Sequence, residues 1–445
     1  MARHDDADAD PGTPLDLGAP LDLVCFSLIV DDIVYWDGRT SMANVGGGGP
    51  QVLWGFAATA AALAPAAPPA TSTLSFERHC SASDGDARWR PPAALPALPA
   101  SIALAAGVGS DLPRSVLDWL SGPCLGADVS GLIPGGPASA TPRAWQILER
   151  DGRRTQIWRV PETPALYEQL RPPFPSMPPR LRRRARSYHI GLHAAHPPRS
   201  LLRALREAVD AQGQEAAAAP GATAETQRQR RCLLSAETYT RCDEGSPLSA
   251  RQLEELLAPL DVFSPNEEEA ASMLGVRLRH GRGDDDGGED DEEAEARAAE
   301  EAERLLLDAL LDAASPPSSA RGPLTITLRR GSRGVLAKTA GGGGDGAPAR
   351  AVRVPAARDL RVVDPVGCGN AFCGGFLAAA HAGKGLAEAC AYGCAAGGTM
   401  AEHRGVPRVA VAALAPAVAR RARELAVRAR AGPVAARRLV ALRFV

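Results

Sequence analysis

Residues Val362–Phe376 read VVDPVGCGNAFCGGF, and this stretch decides the fold. The valines predict a strand ending at Asp364, where Pro365 removes a ladder donor and stops it. Gly367-Cys368-Gly369 turns the chain, and a helix is expected to start near Asn370. A handover from strand to helix through glycines leaves successive backbone N–H groups uncovered at the helix N-terminus. With the helix dipole behind them, these groups form a cradle for an anion such as phosphate.

Outward from this turn, strands and helices alternate. Upstream, Leu21–Tyr35 (LDLVCFSLIVDDIVY) is expected to form one buried strand, broken only by the charges of Asp31 and Asp32. The glycine run Gly46–Gly49 leads into a helix over Gln51–Leu63. Ser101–Gly109, Tyr188–Gly191, Cys232–Ser235, Asp261–Ser264, Leu324–Leu328, Gly334–Lys338 and Val352–Val354 read as further strands. Helices are expected between and after them, ending with Ala371–Ala382 and Leu386–Met400. This rhythm predicts an α/β fold with a mainly parallel central sheet covered on both faces. Thr141–Val160 departs from it, with two strands about Asp151-Gly152, a strong hairpin signal.

Residues 1–20 form an acidic tail expected to be disordered, and 21–412 one domain. Low-complexity insertions are expected near 65–100, 211–230 and 281–293, the last a solvated Gly/Asp/Glu block. Residues 413–445 are expected to be an Arg/Ala-rich helical extension. Gly341–Gly344 lacks the Lys-Ser/Thr of a Walker loop and reads as a flexible loop.

Composition narrows the function. Fifty Lys+Arg against 52 Asp+Glu leave a net charge of −2, without the basic excess of a nucleic-acid binder. With 45% hydrophobic residues the chain can fill a core, which excludes a wholly disordered protein. The nine cysteines are odd in number and include no CxxC pair, so neither a disulfide framework nor a zinc ribbon is expected. The acidic opening does not suit a secretory or transit peptide, and no apolar run reaches the ~18 residues of a membrane span. The expected location is cytoplasmic, without membrane or nucleic-acid partners.

The stretch around Asn370 resembles the second signature of the carbohydrate kinases of the PfkB, or ribokinase-like, superfamily, usually D-T-x-G-A-G-D-x-F. Other matches fall in order. Ala106–Asp111 (AGVGSD) is similar to the family's G-x-V-G-x-D, and the Asp151-Gly152 hairpin to one of its lid strands. Pro265–Glu269 (PNEEE) carries N-x-x-E as Asn266 and Glu269. Thr327–Gly334 (TLRRGSRG) resembles T-x-G-x-x-G, with two extra residues before its first glycine. Asp31 falls where the family has a substrate-hydroxyl aspartate, and Gly46–Gln51 where it has a G-G-x-x-x-N turn.

The resemblance covers roughly residues 20–410 and implies a ribokinase-like three-layer α/β/α sandwich. Its small β-lid would come from the hairpin and the segment after Tyr35. The implied activity is ATP-dependent phosphotransfer to a hydroxyl of a small sugar or nucleoside, with Mg²⁺ and a monovalent cation (K⁺) as further cofactors. Asp31, Gly47, Gly48 and Gln51 would bind the substrate. Asn266, Thr327, Gly331, Gly334 and Asp364 would bind the nucleotide, and Glu269 would serve Mg²⁺. The transferring phosphate would lie over Gly367, Cys368, Gly369 and Asn370. The oligomeric state is open, a lid-mediated homodimer being one implied form.

The departures are as informative. Asn370 stands where the family has its general-base aspartate, and an amide has no useful basicity. Gln51 replaces the usual asparagine, and Gly48 removes a side chain. A weakened kinase and a catalytically inactive scaffold that binds nucleotide or protein are the two expectations. Blander roles compete at single residues: Asn370 as a helix N-cap, Glu269 as one of three dipole-stabilising glutamates. Asp31 and Asp32 point opposite ways on a strand; the resemblance assigns Asp31 to the cleft, which leaves Asp32 to solvent or a turn cap. His189, His193 and His196 read as a strand end and loop rather than a metal site, with His193 the pocket candidate.

Overall fold

The computed structural model describes residues 19–64, 100–135, 139–150, 154–218, 232–243, 245–277, 289–314, 322–341, 350–358 and 360–431. The acidic tail, the insertion near 65–100 and most of those near 211–230 and 281–293 lie outside the described residues, as do Asp151 and Gly152 themselves.

The central sheet is built around β1 (Leu23–Phe26), whose side chains alternate between two cores. Leu23 and Cys25 enter one, Val24 and Phe26 the other, as the two-residue period of a strand covered on both faces demands. On one side β1 pairs in parallel with β4 (Ile102–Val108), and β4 with β5 (Leu132–Pro134). On the other side, also in parallel, follow β8 (Ser187–Leu192), β9 (Leu233–Thr238), β10 (Val262–Ser264) and β11 (Thr325–Arg329). Then β12 (Val335–Thr339), β13 (Val352–Val354) and β14 (Arg430–Ala431) close that edge antiparallel.

Leu21–Tyr35 is not one strand. Ser27 takes a left-handed backbone (φ 78°), and the chain turns out of the sheet after β1. The next segment, β2 (Ile29–Val34), joins a second sheet of order β3-β2-β6-β7, with β3 at Thr40–Gly46, β6 at Arg143–Leu148 and β7 at Arg154–Trp158. The β6–β7 pairing is antiparallel, as the hairpin reading predicts, and β2 and β3 complete the lid. Residues 362–364 are likewise not a strand. The backbone N–H groups of Val363 and Asp364 both donate to the Ala401 carbonyl, at 2.8 and 3.1 Å, so this segment follows a helix end instead of a ladder.

Helices cover both faces. One face carries α1 (Gly48–Leu63), α2 (Arg114–Ser121), α9 (Cys368–His381), α10 (Leu386–Ala401) and α11 (Val411–Arg428). The other carries α5 (Arg199–Ala218), α6 (Ala250–Leu257), α7 (Glu267–Met273) and α8 (Glu289–Ala313). Two short helices, α3 (Pro164–Leu170) and α4 (Pro179–Arg183), precede α5. The Ala, Gln and Glu residues of 211–218, read as the start of an insertion, continue α5 because they are good helix formers. In α11, Val411, Val418 and Leu425 reach the first core, so the chain beyond 412 belongs to the same packed body as far as this helix runs. No helix among the described residues is long and apolar enough to cross a membrane.

Helices α1 and α9 touch backbone to backbone. A Cβ on Gly55 would lie 2.1 Å from the Ala371 carbonyl oxygen, and one on Gly374 would lie 1.9 Å from that of Val52. This contact sets the two helix N-termini side by side at one end of the sheet.

Candidate active site

That end is the carboxyl edge of the parallel strands, where open α/β sheets bind their ligands. The cradle read from the sequence is there. Gly367 caps α9 in a left-handed conformation (φ 81°), and a Cβ on it would meet Gln51 Cδ at 2.5 Å, so only glycine fits. The helix starts at Cys368, two residues before the expected position. Burial, with the Asp364 charge nearby, pushes the Cys368 thiol up to about 12. Asp364 holds the turn from below. Its Oδ1 accepts from the Val366 N–H at 2.9 Å, and its Oδ2 from the Gly405 N–H at 2.9 Å and the Tyr35 hydroxyl at 3.4 Å.

Opposite the cradle lies the glycine turn. Gly47 (φ 82°) caps α1, and Gly48 begins it. A Cβ on Gly48 would stand 3.2 Å from Glu237 Oε1 and 3.8 Å from Asn370 Nδ2. Gln51 is buried against Gly367, and its amide lies 2.5 Å from that of Asn370, joining the two helix starts.

Asp31 is buried, accepts from Gln146 Nε2 at 2.9 Å through Oδ1, and packs its Oδ2 where a Cβ on Gly46 would fall, 1.8 Å away. Burial pushes its carboxyl up to about 7, against the Gln146 hydrogen bond. Asp32 does not face solvent, contrary to expectation. It is fully buried in the lid, accepting from Arg143 at 2.7 and 3.0 Å, from Arg159, and from the Ala43 N–H at 2.8 Å. Arg143 on β6 and Arg159 just beyond β7 close over this carboxylate, so it has cationic partners instead of water. Burial alone would raise Asp32; these hydrogen bonds outweigh it and hold the carboxyl below its usual range.

Between cradle and turn stands a charged cluster that the sequence reading did not find. Glu237, at the end of β9, is 2% exposed. In the orientation that satisfies its neighbours, the Asn370 amide donates to Glu237 Oε1 at 2.8 Å and Oε2 at 3.0 Å. Arg329 Nη1 lies 3.2 Å from Oε2, the Cys373 thiol donates to Oε2 at 3.5 Å, and His189 Nε2 faces Oε1 at 3.5 Å. Burial pushes Glu237 up, but the His189 contact and the Arg329 charge prevail and hold it below the usual carboxylate range. His189, on β8, is fixed through Nδ1 by Ser235 Oγ at 3.0 Å. The ligand atoms of His189, Glu237 and Cys373 come within 4.8 Å of one another, a spacing a metal ion could use. Arg329 already supplies positive charge to that carboxylate. The one available signal was a glutamate inside the apolar run LLSAET, which burial obliges to find a partner.

Arg329, the last residue of β11, extends over the cradle, where a Cβ on Gly369 would lie 2.0 Å from its Nη1. Its Nη2 stands 3.5 Å from Glu269 Oε2. Asn266 and Glu269 form a capping box at the start of α7: the Asn266 side chain accepts from the Glu269 N–H at 2.8 Å, and Glu269 Oε2 accepts from the Asn266 N–H at 2.8 Å. The Thr238 hydroxyl donates to the same oxygen at 2.6 Å. Burial raises the Glu269 carboxyl, with Arg329 opposing. With Oε2 so committed, Glu269 fits a magnesium ion through Oε1 and bound water, the mode Mg²⁺ favours. The Thr327 hydroxyl donates to Ser264 Oγ at 2.8 Å and ties β11 to β10. Gly331 and Gly334 form the tight turn into β12, both at positive φ; a Cβ on Gly334 would fall 2.1 Å from the Val354 carbonyl. Arg330 and Arg333 secure this turn through ion pairs to Glu303.

Residues 222–410 match the family model of the pfkB family carbohydrate kinases. No curated protein matches the sequence. Solved structures share the fold across nearly the whole chain. A ribokinase II of E. coli in its apo form is 14% identical, with a TM-score of 0.54 over 90% of this chain and 99% of that one. The ribokinase of Arabidopsis thaliana, complexed with ribose and ATP, is 14% identical, with a TM-score of 0.51 over 92% and 99%. That of Giardia lamblia is 14% identical, with a TM-score of 0.52 over 88% and 99%.

Proposed function

We propose that this chain, of which residues 222–410 match the pfkB family model, is an ATP-dependent phosphotransferase acting on a hydroxyl of a small sugar or nucleoside. The observation that carries this reading is the cradle at Gly367–Asn370 set beside the glycine turn Gly46–Gly48, with Asp31 against Gly46 and Arg329 beside Gly369. The backbone N–H groups and the guanidinium meet the transferring phosphate where charge accumulates, and phosphoryl transfer depends chiefly on such positioning and charge. Asp31, whose own carboxylate fills the space beside Gly46, and Glu237, 3.2 Å from where a Cβ on Gly48 would stand, are two acceptor groups that would meet hydroxyls of one polyhydroxylated substrate. Magnesium, bound with the nucleotide and met by Glu269 through water, would add positive charge at the phosphates.

A second reading rests on Asn370. With an amide at the family's base position, the same crevice would bind nucleotide without turnover and serve as a scaffold. Calorimetry with ATP–Mg²⁺, followed by a transfer screen over pentoses, hexoses and nucleosides, separates the two. Binding with transfer to one class supports the kinase. Binding with no transfer to any favours the scaffold, and absence of binding removes both.

A further inference from the structure

We infer that Glu237 supplies the carboxylate that Asn370 lacks and acts as the general base for the acceptor hydroxyl; the inference rests on the phosphotransferase reading above. The two oxygens of Glu237 are differently placed. Oε2 is anchored by Arg329 at 3.2 Å and the Cys373 thiol at 3.5 Å. Oε1 receives the Asn370 amide, has His189 Nε2 at 3.5 Å, and borders the glycine turn, where a Cβ on Gly48 would stand 3.2 Å away. Glycine at 48 thus keeps open the approach to this one oxygen.

The carboxylate has moved across a hydrogen bond. Where the family carries it on the first turn of the helix, this chain carries it on the neighbouring strand end, and the helix residue has become an amide that donates to it. Asn370 is then a positioning residue. It fixes Glu237 at 2.8 and 3.0 Å, which a second carboxylate at 370 could do only by sharing a proton. The groups facing Glu237 are His189 from β8, Arg329 from β11, and Asn370 and Cys373 from α9. In the transfer step the acceptor oxygen forms a bond to the γ-phosphorus, and the bond from that phosphorus to the β,γ-bridging oxygen breaks. Its electron pair leaves with ADP, and the hydroxyl proton passes to Oε1.

The test compares wild type with Glu237→Gln, Asn370→Asp and the double variant. Melting temperature, ATP affinity by calorimetry, and ADP release with the hydroxyl panel and with water alone are read for each. Glu237→Gln is expected to lose roughly 10²–10⁴-fold in kcat while ATP affinity stays within about threefold, the split that marks a lost transition-state interaction. The double variant returns a carboxylate to the helix and is expected to recover much of the loss, which a purely structural role for Glu237 would not allow. Wild-type turnover that persists in Glu237→Gln overturns the assignment of Glu237 alone. So does a folded, ATP-binding double variant with no recovery. A wild type that binds ATP but neither transfers nor hydrolyses overturns the phosphotransferase reading, and the base with it.

Discussion

The Nη1 atom of Arg329 occupies the space beside Gly369, so that a methyl group on the glycine would lie 2.0 Å from it. A guanidinium at the N-terminus of α9 is at the wrong end of the helix dipole unless an anion joins it. Glu237 and Glu269 hold it there in the meantime, at 3.2 and 3.5 Å.

Gly369→Val is therefore expected to displace Arg329 and fill the cradle together. ATP binding, followed by calorimetry, should become undetectable. Affinity equal to wild type would place the phosphates elsewhere.

Asp31 gives a pH-dependent signature. Its folded carboxyl lies at about 7 against an ordinary value of 3.8, so between these values the folded chain keeps a proton that the unfolded chain has released. Stability from this group is full at low pH and declines as pH rises through 7, by roughly 4 kcal/mol at most. Asp31→Asn removes the penalty. It should melt level with wild type near pH 4 and higher at pH 8, while weakening substrate binding. A melting difference that is the same at both pH values would contradict the buried, unpaired carboxyl.

Asp32 behaves in the opposite sense. Its carboxyl is held low, so its stabilisation is present above its unfolded value and fades as pH falls through the folded one. Asp32→Ala takes the carboxylate from Arg143 and Arg159, which water partly reaches, and should cost about 1–3 kcal/mol by urea unfolding at neutral pH. A loss below about 0.5 kcal/mol, as for an exposed pair, would show that water replaces the carboxylate.

Gly374→Ala tests the contact between α1 and α9. Its added Cβ would lie 1.9 Å from the Val52 carbonyl and 2.6 Å from the Phe56 nitrogen, and neither backbone can yield. A loss of about 3 kcal/mol is expected, the upper range for overpacking. Gly385→Ala, at the N-cap of α10 with nothing within 4 Å, is the control and should cost no more than ~1 kcal/mol, the loss of a glycine cap alone.

The alternating elements, the β6–β7 hairpin and the glycine start of α9 were legible because each is a local pattern. The division of Leu21–Tyr35 was not: its apolar residues run on without a glycine or proline, and the turn rests on a serine at positive φ between strands of two different sheets. Glu237 was hidden for another reason. It belongs to no spaced motif, and its partners Arg329, Asn370 and Cys373 meet it only once three elements have packed. Arg329 itself looked like a surplus residue ahead of Gly331, although it reaches the centre of the site.

Because Gly55 and Gly374 let α1 and α9 meet backbone to backbone, with Gln51 and Asn370 bridging their first turns, the phosphate seat and the acceptor turn are two ends of one rigid joint. In the proposed phosphotransferase, the spacing between phosphate and acceptor would be set by this backbone contact when the chain folds. The β2–β3 arm of the second sheet leaves and rejoins the main body at Ser27 and Gly47, both at positive φ, so the sheet over the site is tied to the same end of α1 that carries the glycine turn.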